Sequence, residues 1–220
     1  MAAWGALLSA ATCAVFCIST LEAASLVEQH VLADESDGTN WPSYGRTFSE
    51  AHFSPLSSIN STNVKRLGLV WSLDLDVSNS ITAPLAMNGV IYLAAGYSIV
   101  HAVEAKTGRL LWRYDPRAAQ AAGRRLRAGW GIRGPALWQD KVYVGTQDGR
   151  LLALDAADGK LVWSVDTVIY EGLFISGPPR VFNGKVIIGN GGADFAPVRG
   201  YVTAYDADTG RKVWRFFTVP

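Results

Sequence analysis

The sequence predicts an all-β protein, a β-propeller of four-stranded blades, and three observations carry that reading. A tryptophan-ended unit returns three times at one fixed spacing. Each unit has room for about four strands of five to six residues plus turns. The third observation is compositional: 8 Trp and 22 Gly in 220 residues suit a chain of short strands and tight turns better than one of helices. A helix is expected, if anywhere outside the N-terminal segment, only at Pro116 to Arg127.

The unit runs Ala102-Val103-Glu104-Ala105-Lys106-Thr107-Gly108-Arg109-Leu110-Leu111-Trp112, then Ala153 to Trp163, then Ala204 to Trp214, every matched position 51 residues from the next. In each copy apolar residues alternate up to an acidic residue. A Gly (Gly108, Gly159, Gly210) then supplies the positive φ of a tight turn, and the next strand carries the Trp. Upstream lie further short strands at Gly89 to Leu93, Lys141 to Gly145 and Lys185 to Gly189. The first and third are introduced by the turns Asn88-Gly89 and Asn183-Gly184. Before those come Ala83-Pro84-Leu85, Gly134-Pro135-Ala136 and Gly177-Pro178-Pro179. Trp71 marks an earlier, degenerate copy, so three to four blades are expected. Each repeated Trp is expected to be a core residue wedged between neighbouring blades.

Residues 1–23 differ from the rest. They contain no Lys or Arg, and an apolar stretch from Ala6 to Ile18 runs into small residues at Ser19, Ala23 and Ala24. That shape predicts a signal peptide cleaved after Ala23 or Ala24, although the usual positive n-region is missing. A membrane anchor is the alternative, but the run is short for a span and is broken by Thr12 and Ser19. Residues 24–40 read as a polar leader and 41–220 as a partial propeller domain. The chain ends directly after a Trp strand, where another blade would begin. The expectation is therefore a propeller cut before closure, one that associates through its open side when isolated.

Both cysteines, Cys13 and Cys17, fall in the signal segment. The remainder can hold no disulfide, Cys-ligated zinc or Cys-x-x-Cys-His haem site. Removing residues 1–23 takes away only Glu22 among charged residues and moves the formal charge from +1 to +2. Such balance gives no reason to expect a nucleic-acid partner. His30, His52 and His101 have no metal-ligand spacing. No Gly-rich loop opening a helix points to a nicotinamide enzyme. The run Arg124-Arg125-Leu126-Arg127 reads as a solvated loop.

Trp41-Pro42-Ser43-Tyr44-Gly45-Arg46, Phe53-Ser54-Pro55-Leu56 and Asn60 resemble the opening of the pyrroloquinoline-quinone (PQQ) methanol and ethanol dehydrogenases. Val186-Ile187-Ile188-Gly189-Asn190-Gly191-Gly192-Ala193-Asp194, running into Val198-Arg199-Gly200-Tyr201, is similar to a more specific segment of that family. The resemblance covers roughly residues 40–220. It implies an eight-bladed propeller of several hundred residues with PQQ near its axis and a calcium or lanthanide ion on the cofactor. An aspartate would take the alcohol proton as hydride passes to PQQ, and a cytochrome c or haem domain would accept the electrons. A periplasmic location follows from the signal peptide together with the family.

Carried across by residue, the resemblance implies that Arg133 binds PQQ, its guanidinium suiting the cofactor carboxylates. Ser176 would supply a hydroxyl to it. Gly191, Gly192 and Ala193 would bring backbone close to the ring. Asp194, where the family has a metal-binding Glu, would hold the metal. A surface Arg at a strand start and an ordinary turn Asp are the plain alternatives for Arg133 and Asp194. Two features depart from the family. Its adjacent cysteine pair is replaced by Arg127-Ala128, with Trp130 nearby as a possible flat surface, and Ile81-Thr82-Ala83-Pro84-Leu85 lacks the acidic residue. No catalytic residue is expected within these 220 residues. The alternative function is a non-enzymatic propeller serving as a cell-envelope scaffold.

Overall fold

The computed structural model describes Val27 and residues 29–77, 80–123, 132–193 and 197–220. Among these residues twelve strands form three four-stranded antiparallel sheets, each in sequence order from inside to outside. The first blade is β1 (Leu85–Met87), β2 (Val90–Ala94), β3 (Val100–Glu104) and β4 (Leu110–Tyr114). The second is β5 (Ala136–Trp138), β6 (Lys141–Gly145), β7 (Arg150–Asp155) and β8 (Leu161–Asp166). The third is β9 (Arg180–Phe182), β10 (Lys185–Gly189), β11 (Tyr201–Asp206) and β12 (Lys212–Phe217). These are the blades expected from the repeat. Residues around Trp71, the degenerate copy, form no strand.

Local chemistry explains the meander. In the turns joining β1 to β2 and β9 to β10, Asn88 and Gly89 have φ of 49° and 76°, and Asn183 and Gly184 of 47° and 67°. Two successive positive φ values are what a two-residue hairpin turn requires, and Asn-Gly meets that demand at least strain. The middle strands carry the core: Val100, Ala102, Val142, Val144, Leu152, Leu154 and Val186 are all inaccessible to solvent.

The Trp repeat joins one blade to the next. Within each blade the Trp faces a small residue across the ladder, in the pairs Ala102–Trp112, Ala153–Trp163 and Ala204–Trp214, and the register slips just after each Ala. The Trp then crosses to the following blade. Nε1 of Trp112 donates to the Ala156 carbonyl at 3.0 Å and Nε1 of Trp163 to the Ala207 carbonyl at 3.0 Å. Trp71 does the same toward Ala105, also at 3.0 Å. A Cβ placed on Gly108, Gly159 or Gly210 would meet the ring of Trp71, Trp112 or Trp163 at 2.6–2.8 Å. The turn glycines are therefore needed twice, for a positive φ and for room under an indole. By this contact Trp71 occupies the place of an outer-strand Trp in a preceding blade. Trp214 is 41 % exposed, against 9 % for Trp112.

The N-terminal part is more than a leader. Val27 pairs with Gln139 through two backbone hydrogen bonds of 2.8 and 3.3 Å, and helix α1 (Gln29–Ala33) buries its Leu32. Trp41 pairs with Ala86 of the inner strand β1. The described residues of the segment read as a polar leader are thus docked on the blades. Contacts outside the repeat made them illegible from its period. Helix α2 (Ala118–Ala122) falls within the stretch where a helix was expected. Residues 1–23 lie outside the described residues. No helix among the described residues is long and apolar enough to cross a membrane.

Candidate functional site

Each inner strand is entered through an X-Pro step, Ala83-Pro84, Gly134-Pro135 and Gly177-Pro178. Backbone at these entries pairs from blade to blade. The Ala83 amide donates to the Arg133 carbonyl at 2.8 Å, and the Arg133 amide to the Ser176 carbonyl at 3.1 Å. Thr82, Arg133 and Ser176 therefore stand at one position, two residues before the proline, in three successive blades. The main-chain groups of Arg133 are consumed by this chain of bonds, and its side chain remains. Arg133 is exposed and makes no side-chain hydrogen bond or ion pair among the described residues. Ser176 is half-buried. The Thr82 hydroxyl is buried without a partner among the described residues. In the sequence, the signal for Thr82 is its place two residues before Pro84, the place that Arg133 and Ser176 hold before Pro135 and Pro178.

The glycine loop adjoins this row. Gly191 and Phe174 exchange backbone hydrogen bonds of 2.8 and 3.2 Å, which brings residues 191–193 beside the segment leading to Ser176. The reason for the glycines is more local than expected. A Cβ on Gly191 would sit 3.1 Å from the Phe174 ring. Gly192, at φ +114°, would place one 3.0 Å from the Gly172 carbonyl. The chain's own packing already demands small residues there, whatever a cofactor requires. Ala193 is exposed.

The structure so brings together Arg133, Ser176, Gly191, Gly192 and Ala193. Asp194, the expected metal ligand, lies outside the described residues, as do Arg127, Ala128 and Trp130. Among the described residues no group of three or more His, Cys, Asp or Glu could hold a metal ion. A guanidinium unpaired among the described residues fits a flat polyanionic ligand, since charge-assisted bonds to carboxylates are the strong ones. A separate cleft of about 260 Å3 lies along β5 and β9 beneath the N-terminal loop. Its charged lining residues, Arg180 and Glu50, pair with each other at 3.4 Å, which leaves it an apolar recess.

Comparison with known proteins decides the family. The profile described as PQQ, glucose/ethanol/alcohol dehydrogenase, beta-propeller domain, matches residues 41–220. The chain belongs to the PQQ alcohol dehydrogenase family. Quinohemoprotein alcohol dehydrogenase ADH IIB of Pseudomonas putida is 52 % identical over 200 residues, 90 % of this chain and 29 % of that protein. The solved quinohemoprotein alcohol dehydrogenase ADHIIG of the same organism superposes with a TM-score of 0.84 at 47 % identity, covering 89 % of this chain and 29 % of that one. A europium-containing methanol dehydrogenase gives a TM-score of 0.75 at 30 % identity, covering 86 % and 34 %. The chain thus spans less than a third of the length of the curated relatives it matches. Within the family fold, the row of Thr82, Arg133 and Ser176 marks the inner end of three adjacent PQQ-type blades.

Proposed function

We propose that this chain supplies the first blades of a periplasmic PQQ-dependent alcohol dehydrogenase and one wall of its cofactor site. The observation that carries the reading is the Arg133 guanidinium, unpaired among the described residues and set by backbone bonds next to Ser176 and the glycine loop. PQQ, when bound, supplies the two-electron acceptor for the hydride of an alcohol. Arg133 would pair with its carboxylates, and the Ser176 and Thr82 hydroxyls would donate to its oxygens. Gly191 and Gly192, fixed against Phe174, would give the wall a defined shape. Asp194 would contribute an oxygen ligand to a calcium or lanthanide ion, the hard cations that carboxylates suit. The shorter reach of Asp compared with Glu favours the ion that tolerates a displaced ligand.

The acceptor would be a haem group or a cytochrome c, in keeping with the quinohemoprotein names of the relatives. An envelope scaffold draws no support from those names. The test uses the protein as its gene encodes it, supplied with PQQ and either Ca2+ or a lanthanide. Alcohol-dependent reduction of an artificial electron acceptor is expected. No reduction with any primary or secondary alcohol under either metal would refute the proposal.

A further inference from the structure

Between the second and third blades, at the end where the glycine loop sits, five hydrogen bonds converge on one residue. Thr167 follows the last residue of β8 and is inaccessible to solvent. Its amide and its hydroxyl both donate to the Gly149 carbonyl, at 2.9 and 2.7 Å. Its carbonyl accepts from the Tyr201 hydroxyl at 2.9 Å and from Nη2 of Arg215 at 3.0 Å. The hydroxyl also receives Nδ2 of Asn190 at 2.9 Å. A threonine hydroxyl has one proton and two lone pairs. With its proton committed to Gly149, it can meet Asn190 only as an acceptor, and so selects which end of the amide faces it. The other end, Oδ1 of Asn190, is buried and has no partner among the described residues. Thr167 is therefore the single anchor of that side chain among them.

Asn190 immediately precedes the glycine loop. Next along the chain, Gly191 makes its two-bond pairing with Phe174, two residues from Ser176, whose carbonyl holds the Arg133 amide. Contacts so run without a break from Thr167 through Asn190, Gly191 and Phe174 to the row that faces the cofactor. We propose that Thr167 is a positioning residue for the cofactor wall: its hydroxyl fixes Asn190 and, through it, the Gly191–Gly192 backbone against Phe174. The inference rests on the reading of this wall as a PQQ site and adds what holds it in shape. A purely architectural Thr167 would stabilise the joint between blades and leave the loop unaffected.

The test compares the wild type, Thr167→Val and Thr167→Ser in the protein as its gene encodes it. Valine keeps the shape and removes the hydroxyl, whereas serine keeps the hydroxyl. Three quantities are read: the thermal midpoint, the amide hydrogen exchange of residues 190–193 without cofactor, and the PQQ dissociation constant at saturating Ca2+. Thr167→Val is expected to speed loop exchange severalfold, leave exchange in β5–β7 unchanged and weaken PQQ binding at least tenfold. Thr167→Ser should stay within twofold of wild type in both. Should Thr167→Val fail to fold, Asn190→Ala, which spares the Thr167–Gly149 bonds, must reproduce the loosened loop and the weaker binding. A variant lacking the Thr167–Asn190 bond that lowers the thermal midpoint yet keeps wild-type loop exchange and PQQ affinity overturns the inference. A wild type that does not bind PQQ defeats the functional reading and the link to the cofactor together, and loop exchange alone then decides whether Thr167 holds the loop.

Discussion

Trp112 and Gly159 can only be understood as a pair. The indole of one blade lies where a side chain on the next blade's turn would have to be, and it donates to the carbonyl of Ala156 in the same turn. Trp112→Ala should cost about 3 to 5 kcal/mol, the usual range for emptying an aromatic core site. Chemical denaturation of the variant checks this, and a wild-type stability would mean that the docking contact contributes nothing. Gly159→Ala combines a φ of +73° with the same clash and should also destabilise. The tyrosines of the joint set a pH limit. Burial pushes the Tyr92 phenol up to about 12, and burial with the nearby Asp208, Asp140 and Asp206 carboxylates pushes Tyr143 up as well. An unfolded tyrosine ionises near 10. Above that pH the folded state holds more protons than the unfolded one. Stability is thus complete below about pH 10 and falls as pH rises beyond it. Tyr143→Phe should shrink the loss above about pH 10. Its own cost is small, because the Ala207 carbonyl it leaves still accepts from Trp163.

At the scale of elements, the N-terminal loop shows what a repeat cannot reveal. Arg46 is 2 % exposed, and its guanidinium gathers the chain around it. Nε donates to the Phe53 carbonyl at 2.5 Å, and Nη1 to the Asp37 carbonyl at 2.7 Å. Nη2 reaches the Glu35 carbonyl at 2.8 Å and the Glu35 carboxylate at 3.1 Å. The Thr47 hydroxyl adds a bond to that same carboxylate. Arg46→Met fills similar volume but strands the carbonyls, and should destabilise the protein by about 3 kcal/mol. Arg46→Lys should rescue little, since one ammonium cannot copy a planar fork. Urea unfolding of the two variants separates these outcomes, and a wild-type Arg46→Met would show the loop to be dispensable. Arg46 was visible in the sequence only as part of a family-like opening. Val27 and Leu32 were hidden in a segment whose composition reads as polar. Strands and turns were legible because pattern and Gly placement recur at a fixed interval. The loop obeys no interval, and its bonds go mostly to backbone carbonyls, which carry no residue-type signal. For the same reason Thr167, an ordinary residue at a strand end, could not be found by pattern.

Over the whole molecule, the three blades form an arc whose two ends differ. At one end Trp71 is already docked, and Asp76 ties its segment to the first blade through Arg113 at 2.8 Å. Leu69 and Val70 beside it are almost fully exposed. At the other end Trp214 and Phe216 stand uncovered. Between them Thr82, Arg133 and Ser176 hold one position in three successive blades, tied by the Ala83–Arg133 and Arg133–Ser176 backbone bonds. The resemblance to a family supplied the identity of Arg133 and Ser176, and the blade-to-blade hydrogen bonds supply the reason they are neighbours. Whether Arg133 faces PQQ is read by equilibrium binding of PQQ to the protein as its gene encodes it, with Ca2+ present. Saturable binding of about one PQQ per chain is expected, weakened roughly ten- to hundredfold by Arg133→Ala, the range for losing a charge-assisted bond. No saturable binding, or equal affinity in wild type and variant, would contradict it.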